Sequence, residues 1–158
     1  MKKVNNPFVG RENYNCFGCS PENNGGLKME FWEDGEEVVC EWTPKDHVHG
    51  FHNVLHGGIQ STMMDEIASW YVFVKLKTAG VTSKLEVKYK CPVLLNKGNI
   101  TLRAKLNEMK RNIADIYVGL YDYKGKLCAE GNIFYFTFDK TKAKEKLNYP
   151  EYEEFFNK

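Results

Sequence analysis

The sequence lacks long hydrophobic runs. No stretch of the 158-residue chain approaches the roughly 20 consecutive apolar residues that a membrane-spanning helix needs. Residues 1–10 contain two lysines without an apolar segment behind them, so we expect no secretory signal. Three of the five cysteines, Cys40, Cys91 and Cys128, lie in apolar segments, where a thiol behaves as a small hydrophobic side chain. We therefore expect a cytoplasmic protein with reduced thiols.

The sequence also lacks an excess of charge of one sign. Twenty-two lysines and arginines against 21 acidic residues leave a net charge of +1, which excludes a protein that coats nucleic acid or anionic lipid. No repeat, low-complexity segment or linker divides the chain, so its length predicts one folded domain. Aromatic residues make up 14% of the chain, more than a core of this size needs. We expect some of these rings to line a pocket or an interface.

Hydrophobic periodicity predicts two strands, one long helix and four further strands between residues 27 and 138. Residues 27–31 and 38–42 alternate around a turn and form a predicted hairpin. From Ile59 to about Lys77, apolar residues recur every three or four positions, which predicts a helix that ends at Gly80. The later strands are predicted at residues 85–91, 100–106, 116–120 and 127–138. One helix against an antiparallel sheet of about six strands is an α+β arrangement.

Two further segments flank this predicted domain. Residues 1–26 form an N-terminal extension whose loop contains Cys16 and Cys19 in a CxxC motif. Residues 139–158 form a charged C-terminal tail that we expect to be helical and interrupted at Pro150. The domain itself is predicted to span residues 27–138.

The residues around the start of the long helix are the strongest candidates for chemistry. His56, Gly57 and Gly58 come directly before it, and unpaired amides at a helix start suit an oxygen that gains negative charge. Asp65 lies two turns into the helix, where it can face a reacting carbon or its water. Ser69 follows one turn later, within reach of the same water, and Thr62 belongs to the same polar stripe.

These motifs resemble a known family. The segment 49–58, HGFHNVLHGG, followed by 61–66, STMMDE, resembles the signature of the hotdog-fold acyl-CoA thioesterases of the phenylacetate-degradation and 4-hydroxybenzoyl-CoA type. The segments 16–19, CFGC, and 85–93, LEVKYKCPV, agree with this resemblance, which covers roughly residues 14–138. The histidine, two glycines and aspartate at fixed spacing make the motif moderately specific.

The resemblance implies a hotdog fold, in which the sheet wraps the long helix, and hydrolysis of an acyl-CoA thioester to a free acid and coenzyme A without a cofactor. It implies a homo-oligomer, a dimer or a dimer of dimers, with active sites between protomers. By position, Asp65 would be the general base or nucleophile, the Gly57 amide would polarise the thioester carbonyl, and Ser69 would help to hold the water.

Further residues are candidates for substrate binding. Many relatives carry asparagine or glutamine six residues before the histidine of the His-Gly-Gly motif, where this chain has Gly50, so Asn53 or His49 would take that role. His56 and Gly58 order the loop, and Phe51 flanks the suspected site. A lysine face is available for the phosphates of coenzyme A, although such a row is also typical of a solvated strand: Lys84, Lys88 and Lys90.

Two groups of residues suggest a metal, but neither has a strong motif. His47, His49, His52 and His56 share one loop, yet their variable spacing lacks the geometry of a helix-borne zinc site. Cys16 and Cys19 would need further zinc ligands from this histidine loop or from another chain. We therefore predict no metal site.

Two other functions remain open on the same fold. A non-catalytic acyl-CoA-binding or regulatory module would have the same cleft without turnover. A hotdog hydratase would need a histidine and an acid in different places. Thiol release and hydration of crotonyl-CoA, assayed side by side, separate these functions from hydrolysis.

Overall fold

The computed structural model describes residues 1–157. One long helix, α1 (Gly57–Val74), packs against a single antiparallel sheet, and a short helix, α2 (Lys140–Leu147), lies near the C-terminus. Two 3-10 helices add to these, at Asp46–Val48 and Tyr152–Phe155. The strands are β1 (Lys2–Val4), β2 (Phe31–Asp34), β3 (Glu37–Trp42), β4 (Gly80–Tyr89), β5 (Ile100–Lys110), β6 (Ile113–Tyr121) and β7 (Leu127–Thr137).

The sheet has the strand order β1-β2-β3-β5-β6-β7-β4. Every neighbouring pair is antiparallel, which confirms the predicted α+β class. The sheet contains seven strands where about six were predicted, because the short β1 pairs with the outer edge of β2. Among residues 1–157 no helix is both long and apolar enough to cross a membrane.

Helix α1 is buried along the predicted apolar stripe. Met63, Ile67 and Trp70 are at most 1% exposed and face the sheet. The helix ends at Val74 rather than near Lys77, which adopts a left-handed backbone conformation with φ of 55°. Gly80 is the first residue of β4 and not a helix cap. A Cβ there would lie 2.4 Å from the Phe136 carbonyl oxygen, so the close approach of β7 requires glycine.

The predicted first hairpin is displaced along the chain. Residues 27–30 are not part of a strand, and β2 begins at Phe31. Leu27 N–H instead donates to the Phe17 carbonyl, and Met29 N–H donates to the Gly18 carbonyl. Lys28 has a φ of 52°, which breaks the extended conformation. The apolar alternation therefore reflects burial of Leu27 and Met29 beneath the N-terminal loop.

The two ends of the chain pack together on α1. Phe8 from the N-terminal segment and Phe155 from the C-terminal 3-10 helix contact Trp70 and Phe73, with ring centroids 5.4–6.5 Å apart. Asn5 N–H also donates to the Phe155 carbonyl. Several of the aromatic residues thus pack the N-terminal and C-terminal segments against α1, because large rings bury extensive apolar area.

Candidate active site

The N-terminus of α1 is organised by His56. Its Nδ1 accepts a hydrogen bond from the Gly58 N–H at 2.9 Å, so the ring is the N-cap of the helix. The Gly57 N–H has no hydrogen-bond acceptor among residues 1–157. A free amide at a helix N-terminus is a donor with a positively polarised environment.

Tyr89, at the end of β4, fixes the position of Gly57. Its hydroxyl donates to the Gly57 carbonyl at 2.7 Å and contacts Ser61 Oγ at 2.6 Å. A Cβ at Gly57 would lie 3.6 Å from the Tyr89 ring, which is ordinary contact. Sterics therefore do not require glycine at this point, and the backbone amide of residue 57 is the group that remains a candidate for chemistry.

Asp65 lies two turns further along α1, half-buried and held at one oxygen. Thr82 Oγ1 and the Tyr135 hydroxyl both donate to Asp65 Oδ1 at 2.8 Å. Burial raises the pKa of Tyr135 well above its ordinary value, and the nearby Asp65 carboxylate adds to this shift, so the tyrosine keeps its proton as a donor. Asp65 Oδ2 has no hydrogen-bond donor among residues 1–157. One oxygen is thus fixed and the other is free to react.

Gly57 and Asp65 of one chain do not face the same point. They are eight residues apart on one helix, and a rise of about 1.5 Å per residue separates them by about 12 Å along its axis. A thioester carbonyl group is only a few atoms across. A single chain therefore cannot bring both groups to one thioester.

A cavity of about 660 Å³ opens beside the start of α1. Gln60 forms part of its wall; the residue is 4% exposed, and its Nε2 donates to the Leu55 carbonyl at 3.0 Å. Its Oε1 is buried without a hydrogen-bond partner. A buried acceptor without a donor is costly, and such a group in a cavity wall is suited to a ligand N–H. The other candidates in this wall are His49, Phe51, His56, Gly57 and Lys90.

The remaining predicted binding residues are more dispersed. Asn53 Nδ2 donates to Asn96 Oδ1, and Thr62 Oγ1 donates back to the Gly58 carbonyl. Ser69 lines a separate cavity of about 290 Å³. Lys84 and Lys88 pair in register with Phe134 and Glu130 on β7, whereas Thr82 pairs with Tyr135. Because successive side chains of β7 point to opposite faces of the sheet, both lysines lie on the face opposite to Thr82.

The glycine that departs from the family pattern has a structural consequence. A Cβ at Gly50 would lie 3.0 Å from the His56 Cα, so the loop backbone packs directly against the N-cap residue. The histidines of this loop do not converge: His47 contacts the Gly25 carbonyl, and His49 pairs with Asp46. Among residues 1–157 no group of three metal ligands includes a histidine.

Three residues of the site escaped the sequence analysis. Thr82 and Tyr135 reach Asp65 from β4 and β7, far away in the chain, and nothing local in the sequence indicates these contacts. Gln60 gave a weak signal, since it is a polar residue adjacent to the apolar stripe of α1. Only its unpartnered oxygen distinguishes it from an ordinary helix residue.

The comparisons with known proteins agree with this fold. Residues 52–129, which contain α1, β4, β5 and β6, match the model of the thioesterase superfamily. A thioesterase of Haemophilus influenzae superposes with a TM-score of 0.65 at 21% identity, over 71% of this chain and 79% of that one. Thioesterase superfamily member 2 of zebrafish superposes with a TM-score of 0.61 at 24% identity, over 69% and 81% of the two chains.

The solved structures share the hotdog fold, the arrangement of one long helix wrapped by an antiparallel sheet. The family match over residues 52–129 and this fold agree with each other. An uncharacterized protein of Schizosaccharomyces pombe is 27% identical over 92 residues, which cover 56% of this chain and 53% of the yeast protein. The chain thus spans about half the length of the curated relative that it matches.

Proposed function

We propose that the protein hydrolyses acyl-CoA thioesters to a free acid and coenzyme A. The observation that carries this proposal is the arrangement of Asp65, whose Oδ1 is fixed by Thr82 and Tyr135 while Oδ2 is free. Such a carboxylate can take a proton from water as a general base, or attack the carbonyl carbon as a nucleophile. The Gly57 amide would stabilise the negative charge that develops on the carbonyl oxygen. The match of residues 52–129 to the thioesterase superfamily model supports the same class of reaction.

The active unit in this proposal is a homodimer, alone or within a dimer of dimers, joined through β4. This strand of ten residues is an edge of the sheet, and within residues 1–157 it pairs only with β7. Leu85 and Tyr89 on it are 41% and 53% exposed. A long edge strand with exposed apolar side chains is a template for pairing with a further strand. A second copy of β4 would satisfy both its backbone groups and its apolar side chains.

Pairing of two β4 strands would also resolve the separation of Gly57 and Asp65. Strands related by a two-fold axis perpendicular to the sheet run antiparallel. Thr82, near one end of β4, contacts Asp65, whereas Tyr89, at the other end, contacts Gly57. Antiparallel pairing brings the Thr82 end of one strand beside the Tyr89 end of its partner strand. Each site would then combine Asp65 of one protomer with the Gly57 amide of the other.

The cavity beside Gly57 is suited to the pantetheine arm of coenzyme A. This arm contains amide N–H groups, which are donors for the unpartnered Gln60 Oε1. Lys90 lies in the same wall, and of the three lysines suggested for phosphate binding it is nearest to this entrance. Lys84 lies on the opposite face of β4 and forms an ion pair with Glu86 at 2.9 Å. It is therefore a weaker candidate for phosphate binding than Lys90.

We expect Gln60→Met to raise the KM for an acyl-CoA by about tenfold, because the variant loses one hydrogen bond to the substrate. The effect on kcat should be smaller, since this bond lies away from the reacting carbon. Steady-state thiol release measures both constants. An aryl thioester without amide groups is the matched control, and the variant should hydrolyse it like the parent. An equal loss on both substrates would show that Gln60 does not bind the pantetheine arm.

We expect the parent protein to be dimeric or larger in light scattering, and Leu85→Glu to dissociate it. Leu85 lies near the middle of β4, where antiparallel pairing with a second copy puts each Leu85 close to its counterpart. The substitution therefore places two like charges together and removes apolar contact. Thioester hydrolysis should fall together with the dimer fraction, since each site needs two chains.

The control for this experiment is Met109→Glu. Met109 is 44% exposed, close to the 41% of Leu85, but it lies on β5 inside the sheet order rather than on its edge. We expect this variant to keep the parental mass. A Leu85→Glu protein that remains fully dimeric would contradict the β4 interface.

Release of free thiol from a panel of short, long and aromatic acyl-CoAs tests the activity itself. We expect hydrolysis of at least one member with turnover. If an acyl-CoA raises the melting temperature but none is cleaved, the protein binds thioesters without hydrolysing them, and the proposed activity is wrong.

A further inference from the structure

Cys16, Cys19 and Glu66 form a cluster of potential metal ligands beneath the N-terminal loop. One ligand atom from each residue lies within 4.8 Å of the other two. Cys19 is buried, and Cys16 and Glu66 are half-buried. The third ligand, Glu66, comes from α1 and lies fifty residues after Cys16 in sequence. The tertiary structure thus supplies the partner that the CxxC motif lacks in the sequence.

We propose that Cys16, Cys19 and Glu66 bind a zinc ion that ties the N-terminal loop to α1. Thiolate and carboxylate are both ordinary zinc ligands. In a tetrahedral site, bond lengths of about 2.3 Å to sulfur and 2.0 Å to oxygen put these two ligands about 3.5 Å apart. The distance between Cys16 Sγ and Glu66 Oε1 is 3.5 Å. This pair of ligand atoms therefore already has the spacing that the ion needs, and Cys19 Sγ lies within 4.8 Å of both.

The backbone of the loop is shaped around this carboxylate. A Cβ at Gly18, one of the two residues between the cysteines, would lie 2.6 Å from the Glu66 Cδ, so the loop packs closely against this side chain and a larger residue would require Glu66 to shift.

The charge balance of the cluster also favours a cation. Glu66 forms no ion pair with lysine, arginine or histidine among residues 1–157. Trp70 Nε1 donates to Glu66 Oε1 at 3.1 Å, and the Tyr14 hydroxyl contacts Cys19 Sγ at 3.1 Å. Such neighbours orient metal ligands in a second layer. A carboxylate beside two thiols, without a positive side chain, is a site that a divalent cation would neutralise.

Water would supply the fourth ligand. The cavity of about 290 Å³ next to the cluster is lined by Cys16, Cys19, Glu66 and Ser69, and it has room for solvent. Three protein ligands and one water make a complete tetrahedral shell for zinc. The N-terminal loop also carries Phe8 and Tyr14, so the ion would hold these rings on α1.

The test is the metal content of the full chain, purified without a histidine tag, a chelator or a reductant. We expect about one zinc per chain by elemental analysis, and replacement by Co²⁺ should give thiolate-to-cobalt charge-transfer absorption. Cys16→Ser and Cys19→Ser should abolish this absorption, and Glu66→Gln should weaken zinc binding at least tenfold. Cys91→Ser, which changes a half-buried thiol outside the cluster, should leave the metal content unchanged.

Two measurements on the unaltered protein keep the proposal falsifiable even if the variants do not fold. Removal of zinc should lower the melting temperature by about 5 °C or more, and added zinc should restore it. All five cysteines should titrate as free thiols in denaturant after the metal is removed. Metal-free protein with no cobalt absorption overturns the proposal. So does a count of three free thiols, which would indicate a disulfide between Cys16 and Cys19.

Discussion

Asp65→Asn is expected to lower kcat for acyl-CoA hydrolysis by about 10² to 10⁴. The amide cannot accept a proton from water or attack the carbonyl carbon, so the reaction loses its base or nucleophile. The fold should be retained, because the asparagine oxygen can still accept the hydrogen bonds from Thr82 and Tyr135 that hold Oδ1. Thiol release under saturating substrate, with the melting temperature recorded in parallel, measures both effects.

The matched control for this variant is Asp115→Asn. Asp115 is also a half-buried carboxylate, and it accepts hydrogen bonds from two side chains, Asn107 and Asn132, on the sheet away from α1. We expect this variant to keep parental activity. An Asp65→Asn protein that folds, dimerises and hydrolyses at the parental rate would remove Asp65 from the mechanism.

Gly57→Pro should lower kcat by about 10² to 10³, since proline has no N–H to stabilise the carbonyl oxygen. The substitution suits the backbone. Gly57 is the first residue of α1, a position that favours proline. The preceding residue, His56, has φ of −56° and ψ of 132°, an extended conformation that is compatible with a following proline. The variant therefore removes the donor while leaving the helix start in place. Single-turnover thiol release should report the loss directly.

Gly57→Ala is the control, because it adds a side chain and keeps the N–H. Its Cβ would make only ordinary contact with Tyr89 at 3.6 Å, so we expect near-parental rates. If alanine and proline are equally damaging, the effect is steric and the amide has no special role.

The same two variants also test whether each site is shared between protomers. A heterodimer of one Asp65→Asn chain and one Gly57→Pro chain has one site with both functional groups intact and one site with neither. We expect the isolated heterodimer to recover about half of the parental rate. An inactive heterodimer, built from correctly folded chains, would place both groups of each site in the same protomer.

Local patterns in the sequence were sufficient for the main elements of the fold. The apolar stripe of Met63, Ile67 and Trp70 predicted α1, and alternation predicted β5 to β7, because burial of one face imposes a period on each element. The helix end was placed wrongly at Gly80. A glycine can serve a turn or a close strand approach equally well, and the sequence alone does not distinguish these uses.

The other differences between the predicted and the observed strands concern residues 27–30 and β1. Leu27 and Met29 alternate like a strand, but their backbone bonds go to the loop at Phe17 and Gly18. The short β1 has only three residues, too few for any period to be visible. Both segments obtain their conformation from contacts with residues distant in the chain.

The sequence by itself determined the long helix, the later strands and the His56-Gly57-Gly58 and Asp65 motif, because these depend on spacing along a few turns or strands. The tertiary structure alone decided which groups meet. It brought Thr82 and Tyr135 to Asp65, Glu66 to Cys16 and Cys19, and left Gln60 Oε1 without a donor. Such contacts join side chains 17 to 70 residues apart. No local period specifies them, since they arise only when the sheet closes around the helix.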